Sequence, residues 1–314
     1  MPAAPITIEL RGPGGEPVNW ARTLNSHGLT DLPPLHRQVD AGILEATLPV
    51  GDGARTVILS PAGDATLTMT VRGRRPPAAA AREIVGVVRR MLCLDEDLSS
   101  FYERIADDPA LGWATAGAGR LMRSPTVFED VIKTICTTNC AWSATVRMVD
   151  AIVEHLGTPA PGAPDATSRG RAFPSPTAMA QAPEAFYRDV ARAGYRGAYM
   201  RRIAGMVDTG ELDLEAMAAT PAAEVTDDEL RAGLEELPGV GPYASAHIML
   251  LIGRRSFLVL DSWTRPTYAA LTGRKAADRT IQRRFRRYGP YAGLAFWLYV
   301  TQDWEADGPP PDLA

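Results

Sequence analysis

The stretch from Leu237 to Asp261 reads LPGVGPYASAHIMLLIGRRSFLVLD. Two glycines stand two apart, Gly239 and Gly241, with Val240 between them and Pro242 directly after. Glycine lets the backbone turn sharply and leaves amide N–H groups unobstructed, and proline suits the first position of a following helix. Such a turn between two helices makes an anion site, because backbone donors at a helix N-terminus, reinforced by the helix dipole, grip a phosphate without a charged side chain. The alternative reading is a plain helix corner with glycine as the C-cap. The pattern predicts a helix from about Tyr243 to Ile252, then an aliphatic segment, Phe257-Leu258-Val259-Leu260, that delivers a lone carboxylate, Asp261, just ahead of Trp263. An acid at the end of an apolar run is costly to bury unless it is hydrogen-bonded or chemically employed. Asp261 therefore reads as the N-cap of a helix beginning near Ser262 or Trp263, as a working carboxylate, or as both, since backbone amides hold a capping aspartate in one rotamer.

Upstream, Thr226 followed by Glu229 has capping-box spacing and opens the helix DDELRAGLEEL, which ends at Leu237-Pro238-Gly239. Ser124-Pro125 is predicted to start a helix in SPTVFEDVIKTICTTNC, with Val127, Val131, Ile132 and Ile135 as its buried stripe. A Gly/Pro/Ala loop from about Gly157 to Pro174 separates two helical groups. Residues 1 to about 75 differ in kind: short β-branched runs (ITIEL, TVILS, ATLTMTV) alternate with Gly/Pro/Asp turns, which predicts a small antiparallel sheet. A Pro/Arg-rich break, Arg72 to Ala81, leads into AREIVGVVRRMLCL and a helical remainder. The expected fold class is α+β: an N-terminal sheet domain over 1–84, a mainly helical domain over 85–304 whose two subdomains flank a cleft, and a flexible tail over 305–314.

With 314 residues the chain can bury a sizeable core without a metal or disulfide staple. Its three cysteines, Cys93, Cys136 and Cys140, have no metal-ligand spacing and read as reduced thiols in or near the core. No leader-like N-terminus and no apolar segment of roughly 20 residues is present, which predicts neither secretion nor membrane insertion but a cytosolic, nucleoid-associated protein. The formal charge of −4 argues at first against a polyanionic partner. Local charge says otherwise: Gly253 to Tyr288 carries ten basic side chains, Arg265 among them, against the acids Asp261 and Asp278. The same residues also fit a merely solvated helix face.

The hairpin LPGVG, the following helix and an aspartate about twenty residues after Gly241 resemble the signature of the helix-hairpin-helix (HhH-GPD) DNA glycosylases. SPTVFEDVIKTICTTNC resembles the helix and minor-groove wedge of that family's 8-oxoguanine and alkylpurine branches. Phe173-Pro174-Ser175, Gly194-Tyr195-Arg196 and Tyr288-Gly289-Pro290-Tyr291-Ala292-Gly293 are similar to the 8-oxoguanine branch, and Thr301-Gln302-Asp303-Trp304 to the alkylpurine branch. The resemblance spans roughly residues 85 to 304.

It implies a base-excision enzyme in which Asp261 stabilises positive charge developing on the deoxyribose as the glycosidic bond breaks, the alternatives being a glycosylase for an oxidised purine or another modified base and a non-catalytic DNA-damage-binding helix-hairpin-helix protein. It also implies double-stranded DNA containing a modified base as partner, no cofactor, and a monomer. Tyr243 stands where bifunctional members carry a Schiff-base lysine, which points to a monofunctional enzyme using water. Asn139 occupies the place of the residue that fills the gap left by the extruded nucleotide, with Cys140 and Trp142 beside it as alternatives; Asn139 also reads as a helix C-cap. The set of side chains that recognises 8-oxoguanine is absent, His247 standing at the place of its sulfur. Tyr243, His247, Trp263, Phe296 and Tyr299 are the expected base pocket, an aromatic cleft suited to an electron-poor alkylated purine. Gly239, Val240, Gly241 and Arg265 are expected to contact DNA. With no cysteine after Cys140, the iron–sulfur loop of the endonuclease III branch is excluded.

Overall fold

The computed structural model describes residues 5–304. The expected tail over 305–314 lies outside the described residues. Strand β1 (Ile6–Glu9) is followed by helix α1 (Trp20–Leu24) and then by β2 (Leu35–Gln38), β3 (Ile43–Val50), β4 (Gly53–Pro61) and β5 (Thr66–Val71). These pair antiparallel in the order β1-β5-β4-β3-β2, with Leu44 opposite Leu59 and Leu59 opposite Met69 in register. Strand β5 buries every second residue, Leu67, Met69 and Val71, as a sheet with one covered face requires. Helix α2 (Ala78–Met91) covers that face through Ile84, Val87, Val88 and Met91. The expected domain boundary at 84 thus falls inside α2, whose apolar stripe completes the sheet's own core.

The rest is helical: α3 (Ser99–Ile105), α4 (Val127–Thr137), α5 (Trp142–Leu156), then a two-residue pairing of β6 (Thr158–Pro159) with β7 (Arg171–Ala172), and α6 (Pro176–Gln181), α7 (Arg196–Asp208), α8 (Leu214–Ala219), α9 (Asp227–Glu235), α10 (Pro242–Leu251), α11 (Thr264–Thr272), α12 (Asp278–Phe285) and α13 (Ala292–Val300). Helix α4 lies against α5, α7, α8 and α10 and is the axis of this body. The expected Ser124-Pro125 start is displaced by two residues, because Thr126 is the N-cap and its side chain accepts from the Glu129 amide. Its face is wider than the expected stripe: Glu129 and Lys133 are also buried, paired with each other at 2.6 Å, and Val127 is only partly covered. A charged pair one helical turn apart is tolerated there because each side chain neutralises the other. The Thr226–Glu229 capping box is formed, with the Thr226 amide donating to Glu229 Oε2 at 2.9 Å.

Candidate active site

A cavity of about 1100 Å³ opens where the α9–α10 hairpin, the α4–α5 turn, the His27–Leu29 stretch, the Val259–Arg265 segment, Trp297 of α13 and Trp304 face one another. The route of the chain to Asp261 is set by a close approach. The amides of Gly293 and Leu294, at the N-terminus of α13, donate to the Arg255 carbonyl at 2.7 and 3.3 Å, and a Cβ at position 293 would lie only 2.1 Å from the Phe257 carbonyl oxygen. Val259 is buried and Asp261 half-buried, so the segment rises from the core to the cavity wall.

Asp261 Oδ1 accepts the backbone amides of Trp263 at 2.9 Å and Thr264 at 2.6 Å. The second oxygen, Oδ2, has no hydrogen-bond partner among the described residues. The helix starts at Thr264 with Trp263 at its N-cap position, slightly later than expected, so one oxygen of Asp261 holds the turn that leads into α11 and the other stays available. Of the other charged side chains lining the cavity, Glu235 is paired with Arg231 at 2.8 Å and Arg265 with Asp278 at 2.8 Å. Asp261 is the lining carboxylate with no basic partner among the described residues.

At the hairpin, Gly239 has φ +81°, where a side chain is strained, and an added Cβ would come within 2.6 Å of the Tyr199 ring. Gly241 caps α10 with extended backbone (φ −105°, ψ −172°), and a Cβ there would meet open space. Pro242 is the first residue of α10, as expected. The hairpin amides and the start of α10 thus present a positive dipole end at the cavity rim.

Tyr243, His247 and Trp263 all line the cavity. The Tyr243 hydroxyl lies 3.2 Å from Thr137 Oγ1, and burial, with the nearby Asp261 charge adding, pushes its phenol up to about 12. His247 stacks on Trp297 at 6.1 Å, and Trp263 packs on Trp304 at 5.1 Å. Sequence reasoning missed His27, which arrives from the N-terminal region with its ring 5.9 Å from that of His247. It also missed Trp297, Tyr195, Tyr199 and Trp304 as lining residues. Nothing in the local pattern around His27 signals its place; only the tertiary fold brings it there.

Asn139, Cys140, Gly239, Val240, Gly241 and Arg265 are on the cavity wall or rim. Asn139 is exposed in the left-handed region (φ +47°) just past the end of α4, with its amide nitrogen 3.4 Å from the Tyr195 hydroxyl. Arg196 Nε donates to the Thr138 carbonyl at 2.9 Å and fixes the turn from behind. The Cys140 thiol donates to the Cys136 carbonyl at 3.1 Å, and Cys140 and Trp142 both pack partly buried against the helical core, so of the three wedge candidates Asn139 is the exposed one. Phe296 and Tyr299 do not belong to the cavity. Phe296 packs on Phe285 and Tyr268, and Tyr299 on Phe285 with the Arg284 guanidinium over its ring, on a different face of α13 from Trp297. The basic stretch is also smaller than its count: Arg254 is held by Asp227, Arg255 by Glu96 and Arg287 by Asp108. Arg274, Lys275, Arg279, Arg283 and Arg286 are exposed. Among the described residues no group of three or more histidine, cysteine or carboxylate side chains is placed to hold a metal ion.

The fold is that of the helix-hairpin-helix DNA glycosylases. The 3-methyladenine DNA glycosylase of Archaeoglobus fulgidus superimposes with a TM-score of 0.71 over 94% of this chain and 97% of its own, at 18% identity. MBOgg1, in complex with a low-affinity DNA ligand, gives 0.70 over 96% and 97%, at 19% identity. The apo 8-oxoguanine glycosylase/lyase of Clostridium acetobutylicum gives 0.65 over 87% and 92%, at 20% identity. No protein-family model and no curated protein sequence matches the chain.

Proposed function

We propose that the protein is a monomeric DNA glycosylase that hydrolyses the N-glycosidic bond of a modified base, an alkylated purine, everted from duplex DNA. The observation that carries this reading is Asp261: a carboxylate fixed by two amides, without a basic partner among the described residues, at the wall of an aromatic cavity beside a phosphate-gripping hairpin. A fixed anion in a water-poor site stabilises an oxocarbenium-like sugar by several kcal/mol, on the order of a thousandfold in rate. A protein that only binds DNA gains nothing from it, since a bare carboxylate repels phosphate.

Water is the nucleophile in this reading. The chain has two lysines, Lys133 and Lys275; the first is buried against Glu129 and the second is outside the cavity lining. The aromatic walls suit an electron-poor ring. The test is to incubate the protein with duplexes each carrying one modified base (3-methyladenine, 7-methylguanine, 8-oxoguanine or hypoxanthine) and to develop abasic sites with mild alkali. The expected result is strand cleavage at an alkylated purine that appears only after alkali. Intact strands for every duplex, or cleavage without alkali, contradict it.

A further inference from the structure

We propose that His27 and His247 together read the edge of the everted base, and that the substrates are therefore bases presenting at least one N–H donor at that edge. This rests on the glycosylase reading and narrows it. The two imidazoles come from positions 220 residues apart (247 − 27) and meet with ring centroids 5.9 Å apart and planes at 86°. They are 2% and 5% exposed and both line the cavity.

The tautomer of His27 is fixed by its surroundings. Its Nε2 lies 2.6 Å from the Met122 carbonyl oxygen, which only accepts, so the proton is on Nε2 and Nδ1 keeps a lone pair. The segment that carries the ring is itself held in place. The Met122 amide donates to Ser26 Oγ at 3.0 Å, and the Trp297 indole donates to the Ser26 carbonyl at 2.8 Å, clamping the segment at both neighbouring atoms. Nδ1 of His27 is buried without a hydrogen-bond partner among the described residues, and so are both ring nitrogens of His247.

A histidine serving only to fill a core satisfies its polar atoms within the protein, because each one left unmet costs on the order of 1–3 kcal/mol. Here the unmet atoms belong to two rings that both line one cavity. His27 Nδ1 is an obligate acceptor and asks the occupant for a donor. His247 has one donor and one acceptor and adapts its tautomer to either. Burial pushes His27 down to about 3 and His247 down to about 4, so both rings are neutral at physiological pH. Trp297, stacked on His247 and bonded to Ser26, joins the two into one rigid reader.

The test uses the full chain, labelled with nitrogen-15 histidine, bound to a duplex carrying a tetrahydrofuran abasic-site analogue. Three soluble probes are added: 9-methyladenine, N6,9-dimethyladenine, which is bulkier but retains an N–H, and N6,N6,9-trimethyladenine, which has none. The expected result is that the first two move the ring-nitrogen resonances of His27 and His247 and bind roughly tenfold or more tighter than the third. His247→Phe and His27→Phe should shrink that difference. Equal binding of all three probes, or histidine resonances that stay in place while the probe binds, overturns the proposal. Parallel excision assays keep the two readings apart. Discrimination among probes without base release from any duplex retains the reader and removes the glycosylase; base release without probe discrimination removes the reader alone.

Discussion

Asp261 and Thr264 hold each other reciprocally. The Thr264 amide donates to Asp261 Oδ1 at 2.6 Å while the Asp261 amide donates to Thr264 Oγ1 at 2.9 Å. Each side chain caps the other's backbone, which fixes the carboxylate before any DNA arrives. Thr264→Val removes one half of the exchange and leaves the half-buried Asp261 amide without its partner, so it should cost about 1 kcal/mol of stability. It should also lower the rate of base release at saturating DNA, with little effect on duplex affinity. Thr264→Ser should restore both. A valine variant with wild-type turnover would show that the carboxylate needs no such fixing.

The two hairpin glycines should separate. Gly239→Ala places a Cβ against Tyr199 at φ +81° and should destabilise the fold by about 1–3 kcal/mol, weakening binding to damaged and undamaged duplexes alike. Gly241→Ala meets open space at an ordinary φ and should leave thermal stability within about 0.5 kcal/mol. Equal losses of stability at the two positions would contradict this geometry.

Asn139 combines a helix-ending backbone with an exposed amide, and Asn139→Gly parts the two. Glycine adopts φ +47° without strain, so the variant should be as stable as the wild type or more so. Having lost the amide, it should slow excision from fully paired lesions more than from mismatched ones, because unstacking a paired base costs more. A variant equally active on both would assign Asn139 to the cap alone.

Acidification should act through the buried histidines. His247 is pushed down to about 4 in the folded protein, whereas the unfolded side chain takes its proton near pH 6.5. The unfolded state therefore binds more protons between those values, and stability falls as pH falls across that window. His27, pushed down to about 3, acts in the same direction. Asp130, which burial pushes up to about 7, acts in the opposite one, its contribution being lost as pH rises through 7. His247→Phe removes one of these contributions. The stability of the variant relative to the wild type should rise on acidification by up to about 1.4 kcal/mol per pH unit from pH 6.5, levelling near pH 4. Urea midpoints measured from pH 7 to 4.5 give the comparison, and a constant difference would place His247 outside the buried network.

What the sequence discloses is what local geometry writes into it. The hairpin glycines, Pro242, the Thr226–Glu229 box and the spacing to Asp261 are readable because each constrains backbone within a few residues. Helix α13 is different: buried on nearly every side, it carries no amphipathic signal to say which aromatic faces the cavity. One residue is about 100° of helix rotation, and that separates the expected Phe296 from Trp297, which lines the wall. The same holds for α4, where the Glu129–Lys133 pair stands outside the expected apolar stripe yet lies in the core. His27 belongs to the N-terminal region, and its meeting with His247 is a property of the packed chain alone.

The central claim is that Asp261 acts on the sugar and does more than cap α11. Asp261→Asn separates these roles, since an asparagine oxygen still accepts the Trp263 and Thr264 amides and keeps the turn. The measurement is single-turnover base release from the duplex the wild type cleaves best, with duplex affinity and thermal midpoint recorded on the same samples. The account predicts a loss of roughly a thousandfold or more in rate, an unchanged midpoint, and affinity equal to or tighter than wild type because a charge facing phosphate is gone. A variant that releases the base at the wild-type rate would contradict it.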